Sequence, residues 1–300
     1  MKRADRALTI FSVRDAELVS PSLRKACLHT ALCAIRSLHA ELVLYPKPGL
    51  VSPVDNGSHS DMDAELFMRS LFSLRHYFKQ MAQAGTQAVP FDVLKELGLQ
   101  AERRMLAATG GINTHRGAIF SLGILCAAAG YCHAQSLPLT PDNLRAVICR
   151  QWGAALLDHA SPSVAKLSNG IRVAHLYAVH GARAEGAQCF PAVFEIGLPQ
   201  LLQSFAAGSD TTGAQVDALF GLMAQMNDTN IYHRGGADGA ALVRLAAQDF
   251  IQQGGSSHPE WRATALACHR LFVSRNLSPG GAADMLSASW LVYQLASGLE

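Results

Sequence analysis

The chain has 300 residues, 49% of them hydrophobic and only 16% charged, with a formal net charge of +2. An average soluble protein carries ~25% charged residues, so this chain is long and apolar enough to bury a large core, which argues against intrinsic disorder. A net charge so near zero gives no electrostatic handle for a nucleic acid or an anionic membrane.

The first residues are basic but lack a long apolar run, so no signal peptide is read there. Residues 1–20 are expected to be a loosely ordered lead-in to a single all-α domain spanning residues 1–300. Ser20 before Pro21 is a helix start, and the pattern then runs to about Leu44, stopping at Pro46 and Pro48. Ser60 with Asp63 resembles a capping box, predicting a helix to about Ala84. The next helix is predicted from Phe91 to Ala108, ending at Gly110-Gly111. Thr114 is a candidate cap for an apolar helix ending at Gly130; its charge-free stretch is shorter than the ~20 residues that span a bilayer. Thr140-Pro141 starts another helix, and Thr212 with Gln215 reads as a capping box for a helix to Met226. Further helices are predicted over Ala237–Gln253, Ser257–Arg275 and Pro279–Ala296. Strand signals are nearly absent. The expectation is about ten helices, without the regular topology of a four-helix bundle.

Seven cysteines form no C-x-x-C pair and lie in apolar stretches, as at Cys27, Cys33 and Cys126. That pattern predicts reduced, buried thiols and a cytoplasmic protein.

Chemistry-bearing residues gather at the helix junctions, in five segments. The first runs from Pro46 through Lys47 to His59, Asp61 and Asp63. The second holds Glu102 and then Thr109 to Gly117, with Asn113, His115 and Arg116. The third is Gly181 to Gly186, with Arg183 and Glu185. The fourth runs from Asn227 to Gly236, with Asp228, Asn230 and Arg234. The fifth runs from Asn276 to Asp284, with Ser278 and Gly280. Singly, each residue has a plain structural explanation: Asp61 and Asp63 as first-turn acids, Asp228 and Asn230 as turn formers, Arg183 and Glu185 as a local ion pair. Five such clusters in so uncharged a chain point instead to a shared site. Glycine beside polar groups lets a backbone approach a ligand closely, and helix N-termini attract anions. No phosphate loop, Rossmann fingerprint, zinc motif or G-x-S-x-G elbow is present. The remaining Asp, Glu, Asn and His suit a hard, oxygen-bound cation such as Mg²⁺ held with a polyphosphate.

Together these strings resemble the ATP:dephospho-coenzyme A triphosphoribosyltransferases. The matching stretches are PKPGLV, G-x-H-x-D-M-D from Gly57 to Asp63, ATGGINTHRGAIFSLGILCAAAG, GARAEG followed by Phe190-Pro191, DTNIYHRGG, and NLSPGGAADML. They keep the family's order and cover Leu42 to Leu295. The resemblance implies an all-helical enzyme in which the 2′-hydroxyl of 3′-dephospho-coenzyme A attacks C1 of the ATP ribose and adenine leaves. A separate transferase would then load the product onto an acyl-carrier subunit. One branch of the family serves malonate decarboxylase and another citrate lyase. LVLYPKPGLVS resembles the former; the latter usually has Asp-Arg where this chain has Ser52-Pro53.

Such a displacement passes through an oxocarbenium-like state and needs a base, a proton donor for adenine and cations for the triphosphate. The expected catalytic residues are Asp61, Glu102, His115, Glu185 and Asp228, with Asp61, Glu102 and Asp228 also expected to hold Mg²⁺. His59 and His115 are candidate proton donors, since imidazole titrates near working pH. Lys47, Arg116, Arg183 and Arg234 are expected on phosphates, with His59, Asn113, Asn230, Ser278 and Gly280 also contacting substrate. Two rivals remain: a Mg²⁺-dependent nucleotide or ADP-ribosyl hydrolase on an all-α scaffold, and a non-catalytic helical assembly protein whose clusters lie far apart.

Overall fold

The computed structural model describes residues 20–161 and 181–298, and every regular element in them is helical. Residues 1–19, the larger part of the expected lead-in, lie outside the described residues. The helices are α1 (Pro21–Val43), α2 (Ala64–Ser73), α3 (Tyr77–Thr86), α4 (Phe91–Ala108), α5 (Arg116–Ala134) and α6 (Pro141–Ala160). They continue as α7 (Ala182–Ala187), α8 (Leu198–Ala206), α9 (Thr211–Gln225), α10 (Thr229–Gln252), α11 (Trp261–Ser274) and α12 (Gly280–Ser297). A π-helical turn over Ala192–Gly197 leads into α8, and a 3₁₀ turn over Gly255–Ser257 precedes α11.

The apolar helix α5 is the centre of the bundle. Residues on all its faces are buried, from Ala118 to Cys132, so it needs no polar side. By length and composition it could cross a bilayer, but 72% of its apolar window is buried within the protein. Helix α3 lies directly along it. A Cβ at Gly85 would run into the Ala127 carbonyl, and one at Gly130 into the Ala82 carbonyl, so these two glycines set the approach. Helices α1, α4, α6 and α12 pack around the same helix, and one continuous cluster of buried apolar residues runs through them all.

The helix starts show where local signals succeed. Ser20 caps α1 through Leu23 N (3.3 Å), and Thr140 caps α6 through Asn143 N (3.2 Å), as expected. Elsewhere a competing acid or amide wins the cap. Asp63, not Ser60, accepts from Leu66 N (2.8 Å) and opens α2. The predicted helix to Ala84 breaks at Leu74–His76 into α2 and α3. Asn113, not Thr114, accepts from Arg116 N (3.1 Å) at the start of α5, which continues past Gly130 to Ala134. Asp210 accepts from Gly213 N (2.7 Å) and replaces the expected Thr212–Gln215 box. In each case the residue three positions before the donating amide supplies the acceptor, so where the helix begins decides which side chain caps it. Helix α10 begins eight residues earlier than expected, at Thr229, and bends at Gly236 (φ 61°) instead of starting there.

One expectation about thiols fails. Cys149 on α6 and Cys189 after α7 form a disulfide, their Cα atoms 5.8 Å apart. The packing of α6 against α7 brings them within bridging reach, which sequence spacing does not reveal. The other five cysteines are free and buried.

Candidate active site

The five junction segments meet at one end of the bundle, where α2, α5, α10 and α12 begin. The first, fourth and fifth are tied by hydrogen bonds. Ser58 N donates to Gly49 O (3.1 Å), and Ser58 Oγ donates to Leu277 O (2.6 Å). Arg234 donates to Ser58 O (2.9 Å) and to Asn276 Oδ1 (2.7 Å). Its other terminal nitrogen meets His59 Nδ1 at 3.0 Å. A guanidinium only donates, so Nδ1 accepts and Nε2 carries the ring proton. That proton points to Ser278 Oγ, 2.8 Å away. His59 is thereby fixed between residues 175 positions and 219 positions away in sequence.

The fourth and fifth segments share Asp228. Its Oδ1 accepts from Asn230 N (2.8 Å) and its Oδ2 from Ala282 N (3.0 Å), so one buried carboxylate caps both α10 and α12. Asn230 sits against Gly280, where a Cβ would lie 3.1 Å from its amide nitrogen. The second segment joins the fifth through Asp284. The Asp284 carboxylate accepts from the Ala118 amide at the start of α5 and fills the space beside Gly117, where any Cβ would strike it. The third segment touches the fourth, because a Cβ on Gly181 would lie 3.4 Å from Thr229 Cγ2.

Beneath the site lies a buried ion pair. Lys47 Nζ donates to Glu41 Oε1 (2.7 Å) and to Glu41 O (2.6 Å), with Lys47 only 1% exposed. Burial lowers the Lys47 pKa, opposed by the Glu41 charge. Lys47 was expected on a phosphate; its ammonium is instead spent inside the protein. A brace from α11 supports the same loop: His269 Nε2 meets Asp55 Oδ1 at 3.2 Å, and Gly49 N donates to His269 Nδ1 (3.4 Å).

His115 is buried, with Nδ1 2.6 Å from Ser70 Oγ, which in turn accepts from Thr114 Oγ1 (2.6 Å). Its Nε2 is a buried nitrogen with no hydrogen-bond partner among the described residues. Burial, then the Lys47 charge, pushes its pKa down to about 3. Burial and Arg234 push His59 down to about 4, against the pull of Asp61. Both rings are therefore neutral at working pH, which corrects the expectation that they titrate there and donate protons as imidazolium. A neutral ring still offers one N–H.

The expected metal carboxylates have separate roles. Asp228 is a double cap. Glu102 holds Arg116 through Nε (2.6 Å) and a terminal nitrogen (2.5 Å). Asp61 is exposed, 3.8 Å from His59 Nδ1. Among the described residues no three His, Cys, Asp or Glu side chains are placed to hold a metal ion. Glu185 accepts from Ala192 N (3.1 Å) and braces the turn after α7. Arg183 lies exposed on α7, near enough to His159 to oppose its protonation.

Asp284 and Glu41 were not singled out as site residues. Asp284 closes the fifth segment and lies within the NLSPGGAADML string, without a role of its own assigned there. Its neighbours Ala283 and Met285 are buried while Asp284 keeps partial solvent access. Burial, reinforced by Glu41 and Asp228, raises its pKa well above the usual carboxylate range. Glu41 gave no signal, since an acid in the last turn of a helix reads as solvated.

The described geometry contradicts clusters scattered over opposite faces, and sequence comparison gives the assembly a family. The family described as ATP:dephospho-CoA triphosphoribosyl transferase matches residues 27–300. The chain is 40% identical over 264 residues to a probable 2-(5''-triphosphoribosyl)-3'-dephosphocoenzyme-A synthase of Acinetobacter calcoaceticus, covering 88% of this chain and 90% of that protein. It is 39% identical over 267 residues to the synthase of Pectobacterium atrosepticum, covering 86% of each. A probable synthase of Pseudomonas fluorescens is 40% identical over 271 residues, covering 88% of this chain and 90% of the relative. No solved structure matches the chain. The chain belongs to the ATP:dephospho-CoA triphosphoribosyl transferase family.

Proposed function

We propose that this protein transfers the 5-triphosphoribosyl group of ATP to the 2′-hydroxyl of 3′-dephospho-coenzyme A, releasing adenine. The observation that carries the reading is the Arg234–His59–Ser278 chain, which joins three of the family's strings into one polar wall. Bond making and breaking at an anomeric carbon build positive charge on the ribose. A cleft with enclosed carboxyls and neutral imidazoles tolerates that charge. Arg234 and Arg116 are the cations best placed for triphosphate oxygens, because both reach the surface of the site while Lys47 does not. Asp284 is our candidate for proton transfer from the attacking hydroxyl. Its raised pKa makes its ionised form a stronger base than an exposed carboxylate, and it keeps access to solvent. Magnesium would travel on the triphosphate. Mg²⁺ usually keeps several waters and takes one or two carboxylates plus substrate phosphates, which is compatible with a chain that builds no three-ligand cluster among its described residues.

We further read the product as the prosthetic-group precursor of malonate decarboxylase, loaded onto the acyl-carrier subunit by a separate transferase. The support is local. Ser52 opens the turn in which its Oγ bonds Asp55 N (3.3 Å) and Val54 N (3.2 Å), at the place where the citrate lyase branch usually differs.

The test is to incubate the protein with ATP, Mg²⁺ and dephospho-coenzyme A. Adenine should form only when both substrates are present, with one adduct per adenine. Coenzyme A, whose 3′-phosphate crowds the 2′-hydroxyl, should be a poor acceptor. Asp284→Asn should cut the rate at least ~10²-fold while the protein stays folded. Equal adenine or phosphate release without acceptor would make the protein a hydrolase and overturn the reading.

A further inference from the structure

The Arg234–His59–Ser278 chain has a direction, and the direction assigns a donor. Arg234 only donates, so it fixes His59 as the tautomer with its proton on Nε2, and that proton goes to Ser278 Oγ (2.8 Å). Ser278 therefore accepts at its oxygen and keeps its own hydroxyl proton to donate. No described residue receives it. Ser278 is only 3% exposed, so bulk water is largely kept from that proton. The first four amides of α12 offer a ligand nothing. Gly280 N donates to Ser278 O (2.9 Å), the Gly281 and Ala282 amides go to Asp228, and Ala283 N donates to Pro279 O (3.1 Å). The hydroxyl, and not the helix end, is the donor here. Arg234 has donors left at the other end of the chain. One terminal nitrogen serves Ser58 O and Asn276 Oδ1, and the other gives one hydrogen to His59. Its Nε–H and one terminal N–H have no acceptor among the described residues. The two ends stand one imidazole ring apart. A hydroxyl and a guanidinium that both lack acceptors suit a chain of anionic oxygens better than a neutral ring. Asp61 opposes an anion at this wall, but its side chain is 59% exposed, so solvent and salt screen it.

We propose that this wall binds a polyphosphate chain, with the Ser278 hydroxyl and the remaining Arg234 N–H groups donating to phosphoryl oxygens, and that His59 is a positioning residue which touches no substrate and holds the Ser278 hydroxyl in its donating orientation. This moves His59 from the substrate contacts expected of it to a place behind them. The proposal rests on the transfer reaction above only for the source of the phosphates. The donor carries a triphosphate and the acceptor a diphosphate, and the test separates the two.

The whole chain is titrated calorimetrically with inorganic tripolyphosphate, without turnover. Ser278→Ala should weaken binding at least ~10-fold, as the loss of a hydrogen bond to a charged group does. Ser278→Thr, which keeps the hydroxyl, should restore most of it. His59→Asn can still accept from Arg234 at the Nδ1 position but cannot reach Ser278. It should weaken binding as much as Ser278→Ala does, and the double variant should be no worse than either single one. Additive losses would mean that His59 meets the phosphates itself, and the positioning role falls. Nitrogen NMR of His59 reads the direction of the chain. In the unaltered protein and in Ser278→Ala the proton should sit on Nε2, while Arg234→Met should give a mixture of both tautomers. A proton on Nδ1 in the unaltered protein would overturn the chain's direction. In turnover, competition of tripolyphosphate with ATP assigns the wall to the donor's triphosphate, and competition with dephospho-coenzyme A assigns it to the acceptor's diphosphate. Competition with neither, or tripolyphosphate binding unchanged in both Ser278→Ala and Arg234→Met, would overturn the phosphate site. If tripolyphosphate binds as expected but no adduct ever forms, the reaction falls and the site stands. If adducts form and these variants bind tripolyphosphate as the unaltered protein does, the site alone falls.

Discussion

Lys47 and Arg116 are both cations held by a carboxylate, and they do opposite work. Lys47 sits beneath the site with Glu41, almost wholly out of water. Arg116 sits at the rim with Glu102, its side chain 44% exposed. In water a pair like the second contributes little, because solvent screens the attraction and two long side chains must be ordered. In the interior the attraction is stronger, but each ion has lost its hydration, so the pair is stable only while both partners remain. The deep pair, with Asp228 and Asp284, therefore sets the frame on which the loops rest. The rim groups stay free to exchange partners with a substrate.

This contrast predicts a large asymmetry in stability. Lys47→Met leaves Glu41 buried without its cation and should cost about 3–5 kcal/mol. Adding Glu41→Leu to the same chain should recover most of that loss, since no ion is then stranded. Urea unfolding of the single and double variants measures it. A single variant as stable as the parent would break the comparison.

A second prediction uses pH to sharpen it. His59 and His115 have pKa values below their ordinary 6.5 in the folded protein, at about 4 and about 3. Between 6.5 and those values the unfolded chain binds more protons than the folded one. Their contribution is thus complete above pH 6.5 and is lost as pH falls. Asp284 has the opposite sign. Its folded pKa is raised, so the stability it contributes is present at low pH and is lost as pH rises through the folded value. Asp284→Asn, which keeps an oxygen for the Ala118 amide, should therefore raise the melting temperature more at pH 8 than at pH 5. The same variant is expected to lose activity, so stability and turnover should move in opposite directions.

The smallest effect belongs to the rim. Glu102→Gln breaks the exposed pair with Arg116 and should change unfolding free energy by less than ~1 kcal/mol. Raising the salt concentration should shrink the difference further. Its effect on the Michaelis constant for ATP is expected to exceed its effect on melting temperature, since Arg116 is freed from one partner.

Much of this protein is written locally. The apolar run from Ala118 to Cys132 announces a central helix, and Ser20-Pro21 and Thr140-Pro141 mark helix starts, because caps act within one turn. Its family strings mark the junctions where the site lies. Whether a polar residue faces substrate or holds the frame is not local. Lys47 in PKPGLV and Asp228 in DTNIYHRGG look alike as candidate ligands, yet the fold consumes both in internal bonds. Asp284 closes the fifth segment without an assigned role and becomes an enclosed carboxyl only because Gly117, Glu41 and Asp228 arrive from elsewhere in the chain. The Cys149–Cys189 bridge depends equally on what lies nearby in space, since its partners are 40 residues apart. Sequence by itself determined the helical class, the family and the segments that carry the chemistry. Only tertiary structure decided the division of labour among them, because burial and partner identity set a charge's role and both are properties of the packed molecule.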